Sequence, residues 1–243
     1  MAADTSIEWT NRTWNPVTGC TKVSQGCKNC YAERMAKRLK AMGCDRYRNG
    51  FQLTLHDDLL DMPKSWRQPQ TIFVNSMSDL FHESVPLSFI QSVFQVIEET
   101  PRHTYQILTK RSQRLAQLSR SLVWPRNLWM GVSVEDMRVA HRVVDLITVP
   151  AAVRFLSCEP LIGSLHELCL DGVDWVIAGG ESGPRSRPMD PQWVLELRMK
   201  CEQLDIPFFF KQWGGRNKKA TGRLLDGQIY DEMPLPVKRY ARA

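Results

Sequence analysis

Three of the seven cysteines, Cys20, Cys27 and Cys30, fall within eleven positions, in the stretch GCTKVSQGCKNC that runs straight into the helical pattern YAERMAKRLKA. In a chain without secretory features, so tight a group of thiols points to metal binding rather than to a disulfide framework. Structural zinc takes four ligands, usually as paired CxxC knuckles or with histidines at set spacing. Only one CxxC exists here, Cys27 and Cys30, and the five histidines, His56, His82, His103, His141 and His166, are remote in sequence. Zinc would therefore need a distant fourth ligand such as Cys158. A 4Fe-4S cluster held by Cys20, Cys27 and Cys30 would instead leave one iron without a protein ligand, open to chemistry. Three reduced thiols with no metal are the third possibility. Gly19 and Gly26 give the backbone the freedom to fold tightly around a bound centre.

The elements that must carry this loop are legible in the hydrophobic pattern. Six β-rich runs start apolar and end polar: TIFVNSM from Thr71, TYQILTK from Thr104, LWMGVSV from Leu128, VRFLSCE from Val153, DWVIAGG from Asp174 and PFFFKQW from Pro207. Amphipathic segments lie between them. Leu87, Ile90, Val93 and Ile97 recur at helical spacing behind Pro86, Met137, Ala140, Val144 and Ile147 do the same, and Asp190-Pro191 opens a stripe of Val194, Leu197, Cys201 and Leu204. Apolar strands alternating with helices signal a parallel sheet covered on both faces. The spacing predicts an α/β protein, a partial (βα)6-type parallel barrel with an extra C-terminal strand and tail. A first unit is expected from an extended segment around Ile7 to Trp14, the cysteine loop, and a helix after Tyr31 with Ala32, Met35, Leu39 and Met42 inward and Gly43 as its cap. Residues 1–243 read as one domain, with 44–70 a possible insertion and 214–243 a basic tail that wraps the outside.

In barrels the site lies at the carboxyl ends of the strands, where loops vary without disturbing the packed interior. Here those ends carry Asn75, Ser76, Ser78 and Asp79; Thr109, Lys110 and Arg111; Ser133 and Glu135; Ser157, Cys158 and Glu159; Gly179, Gly180, Glu181 and Ser182; and Lys211, Gln212 and Trp213. Glycines in AGGESG allow close backbone approach to a ligand, and Lys110, Arg111 and Lys211 are candidates for a phosphate or carboxylate. Hydrophobic residues make up 43% of the 243 positions and charged residues 24%, enough apolar content for a sizeable core and against a disordered chain. No apolar run is long enough for a membrane span, and the opening MAADTSIEWTNRTW has neither a basic leader nor an apolar run, which places the chain in the cytoplasm. Thirty-two Lys and Arg against 26 acids give a net charge of +6, which favours a polyanionic partner. The basic segments RNKKATGR and KRYARA add to that.

A three-cysteine loop ending in CxxCY between a first strand and a first helix of a βα partial barrel resembles the radical S-adenosylmethionine enzymes. GCTKVSQGCKNCYAERMA, with GVSVED, SCEP, AGGESG and FFFKQWG, is more similar still to a phage-associated three-cysteine family grouped near spore photoproduct lyase. Six residues separate Cys20 from Cys27, against three in the commonest spacing of the wider family. The resemblance implies a 4Fe-4S cluster and S-adenosylmethionine as cofactors and a 5′-deoxyadenosyl radical that abstracts hydrogen, which would make the chain a lyase or a base-modifying enzyme. It implies an electron donor such as a flavodoxin or ferredoxin, and a nucleotide or nucleic-acid substrate. It sets Tyr31 beside the adenine, Asn75 and Ser76 at the methionine amino group, Ser133 and Glu135 at the ribose, and Cys158 as the thiol that returns hydrogen to a substrate radical. The alternatives from other classes are a zinc- or cluster-containing nucleic-acid-binding module and a phage or host interaction protein without catalysis.

Overall fold

A computed structural model describes residue 5 and residues 7–234, apart from the side chains of residues 218 and 219. The KRYARA segment lies outside the described residues. The strands are β1 (Arg12–Trp14), β2 (Val17–Thr18), β3 (Thr54–Leu55), β4 (Thr71–Val74), β5 (Thr104–Thr109), β6 (Leu128–Ser133), β7 (Val153–Cys158), β8 (Trp175–Gly179) and β9 (Phe208–Gln212). The helices are α1 (Tyr31–Ala41), α2 (Leu87–Glu99), α3 (Ser112–Leu118), α4 (His141–Ile147), α5 (Pro191–Gln203) and α6 (Lys218–Thr221). Seven strands form one sheet in the order β1-β4-β5-β6-β7-β8-β9, every neighbour parallel, with β2 and β3 pairing antiparallel beside it. This is a curled half-barrel with helices around it, the architecture expected from the apolar runs, and β9 is the extra C-terminal strand.

Alternation along each strand sorts the side chains into two apolar layers. Ile107, Met130, Val132, Leu156, Val176, Ala178 and Phe210 face the helices and pack with Ile90, Val93, Leu115, Leu146, Val194 and Leu197. Trp129, Phe155, Trp175, Ile177 and Phe209 face inward and fill the bottom of the cup with Trp9. Trp175 is the hub of that plug: Trp9, Trp129 and Phe209 meet it edge-on at 6.2, 5.9 and 6.2 Å, and Phe155 lies tilted at 5.5 Å.

The helices obey their local signals in most places. Asp190 accepts a hydrogen bond from the Gln192 N–H, and Pro191 follows in the first turn of α5. Gly43, at φ +72°, terminates α1 as a glycine cap should. Three details differ from expectation. In α4 the buried face is Arg142, Val143 and Leu146, while Val144 is 63% exposed; Met137 belongs to a separate 3-10 turn, which shifts the phase of the following helix. In α1 only Ala36 is fully buried, and Met42 is exposed. Leu204, just past the end of α5, is likewise exposed. The 44–70 segment is stitched to the barrel: Trp14 donates from Nε1 to the Leu59 carbonyl at 2.8 Å, and Arg102 from Nε to the Trp66 carbonyl at 2.8 Å. Among the described residues no helix is long and apolar enough to cross a membrane.

Candidate functional site

The cysteine loop lies across the carboxyl ends of the strands. Gly19 starts it with φ +83°, bonded through its N–H to the Met77 carbonyl at 3.1 Å, and a Cβ there would stand 2.1 Å from the Gln52 carbonyl oxygen. Only glycine meets both demands. Gln25–Cys27 forms a 3-10 turn, and Cys30 is the residue from which α1 departs. All seven cysteines are free, and Cys20, Cys27 and Cys30 are half-buried.

Three ion pairs, anchored on three strand ends, grip this loop beside each cysteine in turn; two are buried and the third is half-buried on its arginine side. Arg111, after β5, has a side chain only 4% exposed. Its Nη1 donates to the Asp79 carboxylate at 3.1 Å and to the Cys20 Sγ at 3.4 Å, its Nη2 to the Thr21 carbonyl and hydroxyl at 3.2 and 2.9 Å, and its Nε to Glu83. Glu135, after β6, is 1% exposed and faces Arg142, which is 4% exposed and donates to it at 2.9 Å. The other oxygen of Glu135 accepts from the Ser24 hydroxyl and the Gly26 N–H, just before Cys27. Glu181, after β8, accepts from Asn29 Nδ2 at 2.9 Å, next to Cys30, and from the Arg187 guanidinium at 2.7 Å; Arg187 also reaches the Gln25 carbonyl at 3.0 Å. His82 adds a tether: its Nε2 lies 3.0 Å from the Thr21 hydroxyl. Its Nδ1 accepts from the Ser84 N–H at 3.1 Å, so in the neutral ring Nε2 is the donor.

The electrostatics follow from burial and pairing. Burial pushes the Cys20 thiol up to about 11, the Asp79 charge adds to the rise, and Arg111 opposes it. Burial also acts to raise the Glu181 carboxyl, but its bonds from Arg187 and Asn29 carry it below the usual carboxylate range. Burial, then Arg111, hold the His82 ring below the ordinary imidazole value and so favour its neutral form.

Inside the cup a row of polar groups lies above the aromatic plug. Lys110 Nζ donates to Ser133 Oγ at 2.9 Å, Ser157 Oγ to Glu159 at 3.3 Å, and Lys211 Nζ lies 3.0 Å from the other Glu159 oxygen. Lys110 and Lys211 thus sit at the expected mouth, whereas Arg111 is consumed by the loop.

The expected site residues divide sharply. Tyr31 is 57% exposed on the first turn of α1. Asn75 is buried at φ +60°; its Oδ1 accepts from the Val17 N–H at 3.2 Å, and its Nδ2 has no partner among the described residues. Its spare group is therefore a donor, which suits a carboxylate rather than the amino group expected there. Ser76 donates to Asn15 Oδ1 at 3.1 Å. Ser133 and Glu135 both hold partners from this chain. Gly180 is needed for packing, since a Cβ would stand 2.0 Å from the Trp213 carbonyl oxygen, and a Cβ on Gly179 would meet Glu159 at 2.8 Å. Cys158 is a correction. It alternates with Ser157 and Glu159, so it points away from the cup into the helix-side core, fully buried, its thiol raised by that burial and then by neighbouring Cys201. It cannot hand hydrogen to anything in the cup, nor serve as a fourth ligand beside the loop. Arg142 and Arg187 were not legible as site residues; an arginine on a short helix or in a loop reads as solvated charge. Among the described residues no three His, Cys, Asp or Glu side chains converge as a single metal ion requires.

Solved structures of spore photoproduct lyase share this fold. A substituted variant aligns with TM-score 0.57 at 12% identity, over 87% of this chain and 78% of that one. A doubly substituted variant with bound AdoMet and dinucleoside spore photoproduct aligns with TM-score 0.53 at 13% identity, over 84% and 64%. The lyase complexed with dinucleoside spore photoproduct aligns with TM-score 0.50 at 13% identity, covering 74% of this chain and only 58% of that one's length. No curated protein matches the sequence. A family model described as "Protein of unknown function (DUF5131)" matches residues 4–234, and the chain belongs to that family.

Proposed function

We propose that the chain is a radical S-adenosylmethionine-type enzyme whose Cys20, Cys27 and Cys30 hold a 4Fe-4S cluster, acting on a nucleotide or nucleic-acid substrate. The observation that carries this reading is the triple grip on the cysteine loop: ion pairs hold the residue beside each cysteine, and none of the three thiols is in a disulfide. The donor set fits a cluster, being three sulfurs with no histidine or carboxylate among them. Held by Cys20, Cys27 and Cys30, such a cluster would supply one electron to S-adenosylmethionine, releasing methionine and making hydrogen abstraction from a substrate possible.

The protein's share is placement and exclusion of water. Arg111 directs an N–H at the Cys20 sulfur and favours the thiolate that ligation needs. Asn75 offers its unpaired Nδ2 to a carboxylate at the end of β4. Lys110 and Ser133, with Glu159 and Lys211, present charge and hydrogen bonds to a substrate in the cup, above a floor that Trp9, Trp129 and Trp175 keep dry. Solved neighbours hold AdoMet and a dinucleoside, and the net charge of +6 agrees with an anionic substrate. The test is to reconstitute the protein anaerobically, reduce it, add S-adenosylmethionine and look for 5′-deoxyadenosine. Release that depends on Cys27 supports the reading. An intact cluster with no release would favour a binding role, and zinc without iron or sulfide would end the radical reading.

A further inference from the structure

The positive charge of this chain is not spread over its surface. Residues 20–50 carry eight Lys and Arg against two acids, which equals the whole excess of +6, and the remaining residues balance at 24 of each sign. That stretch is the cysteine loop, α1 and the 3-10 turn Asp45–Tyr47 that follows. Of its two acids, Glu33 is shared by Lys22 and Lys37 and Asp45 is exposed, while Arg46 pairs with Asp58 from a neighbouring turn. Lys28, Arg38, Lys40 and Arg48 are exposed and have no carboxylate within salt-bridge reach among the described residues. The Asn29 bond to the Arg185 carbonyl and the Arg34 bond to the Ser182 carbonyl bring a further exposed cation, Arg185, to the same rim. Tyr31 stands 57% exposed in the middle of these charges.

We infer that the outward face of α1, with the loop before it and the turn after it, docks the backbone of a single-stranded nucleic acid and leads it to the cup. The inference rests on the nucleic-acid part of the reading above and names its surface. Unpaired cations suit successive phosphates, and an exposed tyrosine among them offers a ring on which a base stacks. An anionic membrane suits the face poorly, because α1 has already turned Ala36, and in part Ala32, Met35 and Leu39, against the protein and has no apolar stripe left to insert.

The test measures binding of a fluorescent oligothymidylate to the intact protein as salt is varied. Each phosphate contact on a single strand adds about 0.7 to the slope of log affinity against log salt. Arg38→Gln/Lys40→Gln should lower that slope by about 1.4 and weaken binding about 25-fold at 0.1 M salt. Melting temperature should be unchanged in that variant. Arg120→Gln/Arg126→Gln, at the opposite ends of the strands, should bind as the parent does. If the parent binds but the α1 variant matches it in slope and affinity, the surface is wrong while the substrate reading stands. If the parent binds phosphatidylserine vesicles and no oligonucleotide, both fall.

Discussion

Glu135→Gln removes one charge from the grip beside Cys27 while keeping the side chain's size. Glu135 and Arg142 are 1% and 4% exposed, so the change leaves a buried guanidinium without its anion. The replacement cannot satisfy the site by rotation. Ser24, Gly26 and Arg142 all donate to the carboxylate, and a carboxamide must turn its own NH2 toward one of them. Breaking a buried pair by removing one partner costs about 3 to 5 kcal/mol. For a chain of this size that is a fall in Tm of about 10 °C. Arg142→Met should cost a similar amount, whereas Glu135→Gln/Arg142→Met should recover part of the loss, because no isolated charge remains. The assay is thermal or urea unfolding of the four proteins, with the Cys27 alkylation rate as a local reporter that should rise in Glu135→Gln. A Tm within about 3 °C of the parent for both single variants, or strictly additive losses, would refute the claim that this pair clamps the loop.

Other substitutions test other parts of the account. Trp175→Ala should cost about 3 to 5 kcal/mol, since it empties the centre of the aromatic plug, and a smaller loss in urea unfolding would mean the cup's floor packs otherwise. Cys158→Ala should cost about 1 kcal/mol and leave iron content unchanged, and native Cys158 should resist alkylation while exposed Cys169 reacts; loss of iron would return Cys158 to the loop. Glu181 titrates below its ordinary value of 4.5 in the folded state, so the unfolded chain binds the proton first on acidification. Its stabilisation is present above that value and disappears as pH falls through the depressed one. Tm should therefore drop below about pH 4.5, and less steeply in Glu181→Gln; identical profiles would remove the Arg187 pairing from the account.

Most of the fold was legible because its strands are buried on both faces, and such strands read as unbroken apolar runs. Leu128–Ser133 is buried at all six positions; it starts where the run LWMGVSV starts and ends one residue before that run does. What failed were matters of phase and face. Val144 and Met137 fit a helical stripe on paper, but a 3-10 turn before α4 rotates that helix so that Val143 and Leu146 go inside. Cys158 looked like a mouth residue because it ends a strand, yet strand alternation alone assigns it the face opposite Ser157 and Glu159. The cysteine trio was legible from spacing. Its supports were not, because Ser24, Asn29 and Arg187 acquire their roles only when residues more than a hundred positions apart are brought together, and Arg142, seven positions from Glu135, acts on the loop through that carboxylate. The polar strand ends did carry a signal: Asp79, Arg111, Glu135 and Glu181 are all there, but they hold the loop rather than a free ligand.

The central claim is that the gripped trio of thiols holds an iron-sulfur cluster with one iron open to S-adenosylmethionine. Anaerobic reconstitution followed by electron paramagnetic resonance of the reduced protein, with and without S-adenosylmethionine, tests it most directly. The account predicts about four irons per chain, lost in Cys27→Ala, and a spectrum that changes when the small molecule is added. Iron that persists without Cys27, or a cluster signal that S-adenosylmethionine leaves untouched, would contradict it.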